Sequence, residues 1–323
     1  KKKETYWLSE VNTQSLQISL RNLDNAFTKF FREKKGFPRF KSKKSNFQSF
    51  SIPQNNKIDF ENNRVSFIKI GSIKAKLDRK FTGHIFKATI SKNPAGQYFV
   101  SYNVEDDVKP KKLEKITGKK TVGIDLGLKS FLVLSNGKKV DNPKYLKQSE
   151  QRLKVLQRRL SRKEKGSNNR QKARLKVAKQ HLQITNQRLN FLHNLTYALT
   201  HDNQVDSYAV ENLSVSGRMK NHKLAKAIGD ASWGEFIRQM VYKCQWYGKN
   251  LITIGRFEPS SKMCLCGAIK NELTLADRKW KCKACGQVND RDLTAALNIK
   301  KFALVKQNLT GRLTPVEPVE VRQ

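Results

Sequence analysis

A short apolar run with one carboxylate in its middle restricts the fold of this chain more than any other feature. The run covers residues 121–128 (TVGIDLGL), and its carboxylate is Asp125. A buried strand has no structural use for an unpaired aspartate, because removing a carboxylate from water is costly without a partner or a metal ion. A turn at Gly127 is the alternative, since aspartate is common in turns. The run alone slightly favours the turn, and the rest of the sequence reverses that preference.

The charge of the chain indicates a polyanionic partner. Its 323 residues contain 65 Lys and Arg against 27 Asp and Glu, and the formal net charge is +38. A protein this cationic repels itself unless a polyanion is its normal partner. An anionic membrane is the competing partner, but we find no run of about 18 apolar residues and no signal-peptide pattern. We therefore expect the partner to be nucleic acid.

The N-terminal third combines a helix, a basic loop and short strands. Apolar residues recur at helical spacing over residues 15–33, which predicts a helix with one buried stripe. In the loop at 34–44 cations alternate with aromatics, so the loop either contacts nucleic acid or is solvated, with equal weight. Alternating runs within residues 47–105 predict a small antiparallel barrel. The candidate nucleic-acid contacts in the loop are Arg39, Lys41, Lys43 and Lys44.

A second domain is expected from residue 119 onward. Its first strands, separated by Asn136-Gly137, predict a β-meander with Asp125 on the first strand. Helical periodicity over residues 143–200 then predicts a long helical hairpin. The hairpin is densely cationic, which favours a nucleic-acid cradle over a coiled-coil surface. Its candidate contacts are Arg158, Arg159, Arg162, Arg170 and Arg174.

Further strands and a helix follow the hairpin. Residues 205–213 read as a buried strand that closes on a carboxylate, Glu211. Residues 232–246 are amphipathic and predict a helix that buries Cys244, and residues 251–254 predict another strand. Residues 220–226 read as a basic loop.

Four of the five cysteines form two close pairs, each followed by a glycine. Four thiolates from two tight turns match the tetrahedral demand of a structural Zn²⁺. The first pair has one spacer residue where two are usual, so a strained, weak or lost site is the alternative. A closed site of this kind serves folding and not catalysis, and the pattern is unlike a secreted disulfide framework. The ligands would be Cys264, Cys266, Cys282 and Cys285.

Asp292 stands at the start of a predicted helix rich in small residues, where an ordinary N-cap is the alternative role. It joins Asp125 on a strand and Glu211 at a strand end. Three such carboxylates meeting over one sheet could hold two Mg²⁺ ions about 4 Å apart and hydrolyse phosphodiesters. In so basic a chain, a nuclease is the natural inference.

In order along the chain, these motifs resemble those of TnpB, a nuclease encoded by insertion sequences and related to the type V CRISPR effectors. The likeness runs from about residue 34 to beyond residue 300. It implies a multidomain α+β fold, in which a RuvC nuclease domain of RNase H-like fold contains a zinc ribbon and a helical hairpin. The motifs are residues 123–127, 210–213, 230–236, 259–262, the cysteine pairs and residues 290–299.

The resemblance also implies domain bounds. A helical recognition segment and a small wedge β-barrel would precede the nuclease core, and we expect the N-terminal part of the recognition segment to be missing. The bounds are 1–35 for the recognition segment, 36–118 for the wedge, 119–259 for the RuvC core with its hairpin at 143–200, 260–288 for the zinc ribbon, 289–305 for the last RuvC motif and helix, and 306–323 for the tail.

The function implied is that of an RNA-guided, Mg²⁺-dependent DNA endonuclease encoded by a transposable element. It would cut DNA complementary to a guide RNA (ωRNA) next to a short target-adjacent motif. Asp125, Glu211 and Asp292 would be the catalytic ligands of two Mg²⁺ ions, and one Zn²⁺ would be structural. The expected partners are one guide RNA per protein and double-stranded target DNA, without a membrane, in prokaryotic cytoplasm at the nucleoid.

Two departures from the family pattern and three alternatives remain. Thr294 stands where the family usually has Asn, and the first cysteine pair is shorter by one residue. The alternatives are a guide-directed repressor that binds without cutting, a guide-free structure-selective nuclease such as a junction resolvase, and a transposase that uses three acidic residues. A repressor would not need to keep all three carboxylates.

Overall fold

The computed structural model of the chain describes residues 6–42, 47–106, 108–109, 111–270, 272–274 and 277–310. It divides into two compact units, residues 1–108 with 158–179 and residues 109–157 with 180–323. Most of the predicted tail, from residue 311 onward, lies outside the described residues. No described helix is both long and apolar enough to cross a membrane.

A helix opens the first unit, as the apolar spacing predicts. The Asn12 side chain caps its first turn by accepting hydrogen bonds from the backbone N–H groups of residues 14 and 15. Lys34 ends it in the left-handed conformation, with a φ angle of 52°. The bounds are a 3₁₀ turn at Tyr6–Ser9 and α1 at Thr13–Glu33.

The apolar stripe of α1 is exposed, so the prediction of a buried stripe is wrong. Leu20 and Phe31 expose 68% and 73% of their surface. The aromatic rings pack on one another instead, with the Phe30 ring centroid 5.0 Å from that of Phe31 and 5.3 Å from that of Phe37. Helical periodicity identifies which face is apolar, but it does not show whether another element covers that face.

Six strands follow the helix in the first unit. They are β1 (Gln48–Ile52), β2 (Lys57–Asp59), β3 (Arg64–Phe67), β4 (Gly71–Lys74), β5 (His84–Lys92) and β6 (Tyr98–Glu105). The antiparallel pairing is as predicted, but the described residues form two three-stranded sheets, β1-β5-β6 and β2-β3-β4, and not one closed barrel. Alternation along a strand predicts its two faces but not its neighbours, so it does not distinguish one closed sheet from two separate ones. Ile52, Val65 and Ala88 lie in a core common to both sheets.

One five-stranded sheet organises the second unit. Its strands are β7 (Thr121–Leu126), β8 (Ser130–Leu134), β9 (Lys139–Asp141), β10 (Ser207–Glu211) and β11 (Asn250–Ile254). They lie in the order β11-β10-β7-β8-β9. The meander β7-β8-β9 is antiparallel, as predicted, whereas β10 runs parallel to both β7 and β11. Asp125 is therefore on a strand near the middle of the sheet, and the turn alternative is wrong.

The helices of the second unit pack on this sheet. The predicted hairpin is present, with its break between residues 161 and 168; its residues 158–179 belong to the first unit and the remainder to the second. Phe131 from β8 and Phe236 are both fully buried, with ring centroids 5.4 Å apart, and Cys244 is in the same core as predicted. The bounds are α2 (Tyr145–Ser161), α3 (Asn168–Thr200), α4 (Val215–Arg218), α5 (Ala225–Ala231), α6 (Trp233–Tyr247) and α7 (Arg291–Thr310).

Two of these helices were not expected, and one of them contributes a buried anchor. The helices α4 and α5 lie on either side of the predicted basic loop at 220–226, which the structure confirms for residues 220–224, and α5 begins at Ala225 within its last two positions. Asp230 on α5 accepts hydrogen bonds from the backbone N–H of Leu146 and from two nitrogens of the Arg188 guanidinium, at 2.9 and 2.7 Å. This paired carboxylate connects the first turn of α2 to α3.

The contact between α7 and β7 is unusually close. An added Cβ atom at Gly123 would lie 2.0 Å from the carbonyl oxygen of Ala296 and 2.8 Å from the backbone nitrogen of Lys300. The facing side of α7 carries small, buried residues, including Ala295 and Ala296. Glycine at position 123 thus lets the helix backbone rest directly on the strand that carries Asp125.

We expect Gly123→Ala to destabilise the second unit by about 1–3 kcal/mol or more, because the new methyl group meets backbone atoms that cannot rotate away. Thermal unfolding would show the loss. The matched control is Gly234→Ala on α6, where an added Cβ atom meets nothing within 4 Å; alanine there should leave the midpoint unchanged or raise it. Equal midpoints for the two variants would contradict the close contact.

Candidate active site and cysteine cluster

The strand register places two of the predicted carboxylates side by side. In the parallel pair of β7 and β10, Ile124 is opposite Val210. Asp125 and Glu211 each follow these residues by one position, at the carboxyl ends of neighbouring strands. Carboxyl ends of parallel strands are a common location for functional residues.

The third carboxylate comes from the start of α7. Asp292 lies in the first turn of the helix that rests on β7. The N-cap role that the sequence left open for Asp292 belongs to Asp290, whose Oδ1 atom accepts hydrogen bonds from the backbone N–H groups of Asp292 and Leu293 at 3.1 and 3.2 Å. Asp290 also forms an ion pair with Lys139 at 3.1 Å. The Asp292 carboxylate is therefore not needed to cap the helix.

The three carboxylates act on one another electrostatically. Burial, and after it the negative charges of Glu211 and Asp292, raise the pKa of Asp125 to about 8. The cationic Arg291 and Arg218 lower the pKa and only partly offset it. Residues separated by more than 80 positions in the sequence thus share one local field, and a bound cation would relieve their repulsion.

Three further side chains contact the carboxylates, and none of them was predicted to do so, although Ser260 lies in the motif at residues 259–262. The Ser260 hydroxyl donates a hydrogen bond to Glu211 Oε1. Arg218 Nη2 lies 3.9 Å from Glu211 Oε2, and Arg278 Nη1 lies 3.4 Å from Asp292 Oδ1. In a chain with 65 Lys and Arg, two particular arginines could not be singled out without the fold.

The four paired cysteines come together as a group. The Sγ atoms of Cys264 and Cys285 are 3.7 Å apart, as are those of Cys266 and Cys282. Zn–S bonds of about 2.3 Å in a tetrahedron require sulfur separations of about 3.8 Å, so the sulfur positions suit such an ion. Gly267 and Gly286 turn the chain after each pair with φ angles of 96° and 72°. The single spacer residue in the first pair does not prevent this arrangement.

The cysteine cluster is the tighter of the two candidate metal sites. Among the described residues, it is the one group of three or more His, Cys, Asp or Glu side chains whose ligand atoms all lie within 4.8 Å of one another. The three carboxylates are thus more widely spaced than the ligands of one ion. Cys264 and Cys282 are buried beside Trp280, whereas the other two cysteines are exposed.

A short hairpin connects the cysteines to α7. It consists of β12 (Lys279–Lys281) and β13 (Val288–Asp290), which pair antiparallel. Burial raises the pKa of the Cys264 thiol, but hydrogen bonds from the Cys266 backbone and the Asn289 side chain outweigh this effect and lower the pKa to about 6. The thiolate is the form that binds a metal ion.

The predicted nucleic-acid contacts divide into three groups. Exposed cations are Arg39, Lys41, Arg158, Arg159, Arg162 and Arg174. Arg170 instead supports the hairpin turn, because its Nη1 atom donates hydrogen bonds to the carbonyls of Leu160 and Lys163 at 3.1 and 2.8 Å. The predicted contacts Lys43 and Lys44 lie outside the described residues.

Two consecutive segments of the chain match known protein families. Residues 99–222 match the OrfB_IS605 family, described as "Probable transposase", and residues 233–299 match the TNB domain of Cas12f1-like proteins. The solved Cas12f1–sgRNA–target DNA complex has a similar fold, with a TM-score of 0.54 and 18% identity over 84% of this chain and 67% of that chain. The fold is thus a mixed α/β, multidomain one of the Cas12 and TnpB type.

Two curated relatives cover nearly the whole chain. A protein of Streptomyces pristinaespiralis named "Putative RNA-guided DNA endonuclease" is 40% identical over 306 residues, which cover 93% of this chain and 73% of the relative. The "Putative RNA-guided DNA endonuclease InsQ" of Escherichia coli K12 is 32% identical over an alignment 338 residues long, and the alignment covers 99% of this chain and 83% of the relative. The chain belongs to the TnpB/InsQ family of RNA-guided DNA endonucleases.

Proposed function

We propose that this chain is an RNA-guided, Mg²⁺-dependent DNA endonuclease of a transposable element, with Asp125, Glu211 and Asp292 as its catalytic carboxylates. The observation that carries the proposal is that Glu211, at the end of the neighbouring strand, and Asp292, at the start of α7, are both near enough to Asp125 to raise its pKa. Carboxylate oxygens are the ligands that Mg²⁺ prefers. A protein that only bound its target would gain nothing from three carboxylates that repel one another, and this argues against a repressor.

Each of the three carboxylates is held in place by a different part of the second unit. Bound Mg²⁺ ions would activate the attacking water and stabilise the leaving oxygen of the phosphodiester. Asp125 supplies a carboxylate fixed by the central strand, and Glu211 supplies one oriented by the Ser260 hydroxyl. Asp292 supplies one fixed by the first turn of α7, which Asp290 caps. This second unit is, in our proposal, the RuvC domain of RNase H-like fold.

The charge of the chain supports a guide RNA and a DNA target as its partners. A net charge of +38 favours binding to phosphate backbones without reading their sequence. Target sequence would then be read by base pairing with the guide, as in CRISPR-type effectors. The exposed arginines of the hairpin, including Arg158 and Arg162, are available for phosphate contacts.

Loss of a residue that only supports a metal ligand usually costs roughly 10–100-fold in metal affinity or activity. Because Asp125 is proposed as a ligand itself, we expect Asp125→Asn to lower target cleavage by more than that. Guide RNA binding should stay within about twofold, because one carboxylate contributes little to the electrostatic footprint. Cleavage of a matching target with Mg²⁺, and RNA binding by filter retention, would measure the two effects.

The matched control is Asp141→Asn, which changes an exposed carboxylate on β9 of the same sheet. It should leave cleavage unchanged. Thermal stability of Asp125→Asn should not fall near neutral pH in the absence of Mg²⁺, since asparagine avoids the cost of protonating a carboxyl whose pKa is raised to about 8 in the folded chain. Retained cutting by Asp125→Asn would refute the proposed assignment of the three carboxylates.

The cysteine cluster would hold a structural Zn²⁺. Metal analysis of purified protein should give about one Zn²⁺ per chain, and Cys282→Ser should lose it and lower the unfolding temperature. Cys244→Ala is the control, because Cys244 is a core thiol separate from the cluster. This variant should retain its zinc. Folded protein without zinc would show the proposal to be wrong.

A further inference from the structure

The hydroxyl of Ser260 fixes one oxygen of Glu211. Ser260 is only 5% exposed, and its Oγ atom donates a hydrogen bond to Glu211 Oε1. The other oxygen, Oε2, lies 3.9 Å from Arg218. A glutamate side chain has three rotatable torsions, and a charge-assisted hydrogen bond to one oxygen restricts the position of both oxygens.

Asn298 holds the segment that carries Ser260. This residue of α7 is fully buried, and its Nδ2 atom donates hydrogen bonds to the carbonyl oxygens of Ser260 and Met263 at 2.8 and 2.7 Å. The segment is also closed on itself, because the backbone N–H of Met263 donates to the Pro259 carbonyl at 3.0 Å. Asn298 uses both of its donors to fix this backbone turn against α7.

The same turn leads directly into the cysteine cluster. Cys264 follows Met263, and its Sγ atom accepts a hydrogen bond from Asn289 Nδ2 at 3.4 Å. The Thr294 hydroxyl of α7 is 3.5 Å from Asn289 Oδ1. The helix α7 thus supports both neighbours of the cluster's first cysteine: Asn298 bonds the turn that precedes Cys264, and Thr294 lies near Asn289, which donates to the Cys264 sulfur.

We propose that Ser260 and Asn298 are positioning residues for Glu211, and that through them the cysteine cluster sets the orientation of this carboxylate. The proposal rests on the proposed function, because it concerns how one carboxylate is presented to Mg²⁺. The connection is physical and short: it runs from Cys264 through the turn at 259–263 to the Ser260 hydroxyl and then to Glu211 Oε1.

Mg²⁺ binding to the full chain without nucleic acid, measured by calorimetry, is the primary test. Ser260→Ala should weaken the binding by about 10- to 100-fold, the usual cost of losing a ligand's supporting partner. Ser261→Ala is the matched control, since it removes a hydroxyl from the neighbouring residue of the same turn. Equal Mg²⁺ affinity in the two variants would overturn the positioning role.

The Mg²⁺ dependence of cleavage gives a second readout. In Ser260→Ala the concentration for half-maximal cleavage should rise by about 10- to 100-fold, while zinc content and the unfolding temperature without Mg²⁺ stay as in Ser261→Ala. A purely structural role would lower the unfolding temperature and leave the Mg²⁺ dependence unchanged. Failure of the unmodified chain to cleave would count against the proposed function, whereas the calorimetric comparison still decides the positioning role.

Asn298→Asp tests the support of the turn that carries Ser260. The substitution keeps the shape of the side chain but replaces the two-donor amide with an acceptor that faces two carbonyls. We expect a change in Mg²⁺ affinity in the same direction as for Ser260→Ala. A folded Asn298→Asp protein with unchanged Mg²⁺ affinity would remove Asn298 from the proposal, and the Ser260 comparison stands independently if this variant does not fold.

Discussion

The direct contact between α7 and β7 at Gly123 is the constraint on which the candidate active site depends. The backbone of the helix approaches so closely that a methyl group on residue 123 would overlap the Ala296 carbonyl. This contact sets the height of the first turn of α7, and hence of Asp292, above the strand that carries Asp125. The parallel register of β7 and β10 then places Glu211 beside them. Backbone geometry, and not attraction between the side chains, assembles the three carboxylates.

Bringing the three carboxylates together has an electrostatic cost, which the rest of the fold must offset. Burial and the two neighbouring charges raise the pKa of Asp125 to about 8, so each carboxylate makes the ionised state of Asp125 less favourable. Arg218 and Arg278 stand at 3.9 and 3.4 Å from two of these groups, at separations that neutralise them only in part. A strongly shifted group beside charge partners is a feature of functional sites.

Much of this arrangement could be predicted from local sequence signals. The Asn136-Gly137 hairpin, the helical hairpin and the cysteine pairs each depend on residues close together in the chain, and all three appear in the structure. Features that depend on tertiary contact could not be predicted. The stripe of α1 is apolar but exposed, Arg170 holds a turn, and Asp290 takes the N-cap that the sequence allowed for Asp292. Sequence periodicity shows which residues form one face of a helix, and only the fold shows which other elements contact that face.

The shortened first cysteine pair illustrates the same distinction. Spacing alone predicts a narrow, strained turn, yet all four sulfur atoms lie within 4.8 Å of one another. Across the two pairs, Cys264 approaches Cys285 and Cys266 approaches Cys282 at 3.7 Å. Each pair contributes one buried and one exposed cysteine. A single spacer residue in the first pair is therefore compatible with the cluster when the second pair adjusts its position. What the cluster requires is that Cys264 stay where Asn289 and the turn at 259–263 hold it. Because that turn also carries the hydroxyl that contacts Glu211, keeping Cys264 in place and keeping Glu211 oriented become one structural requirement.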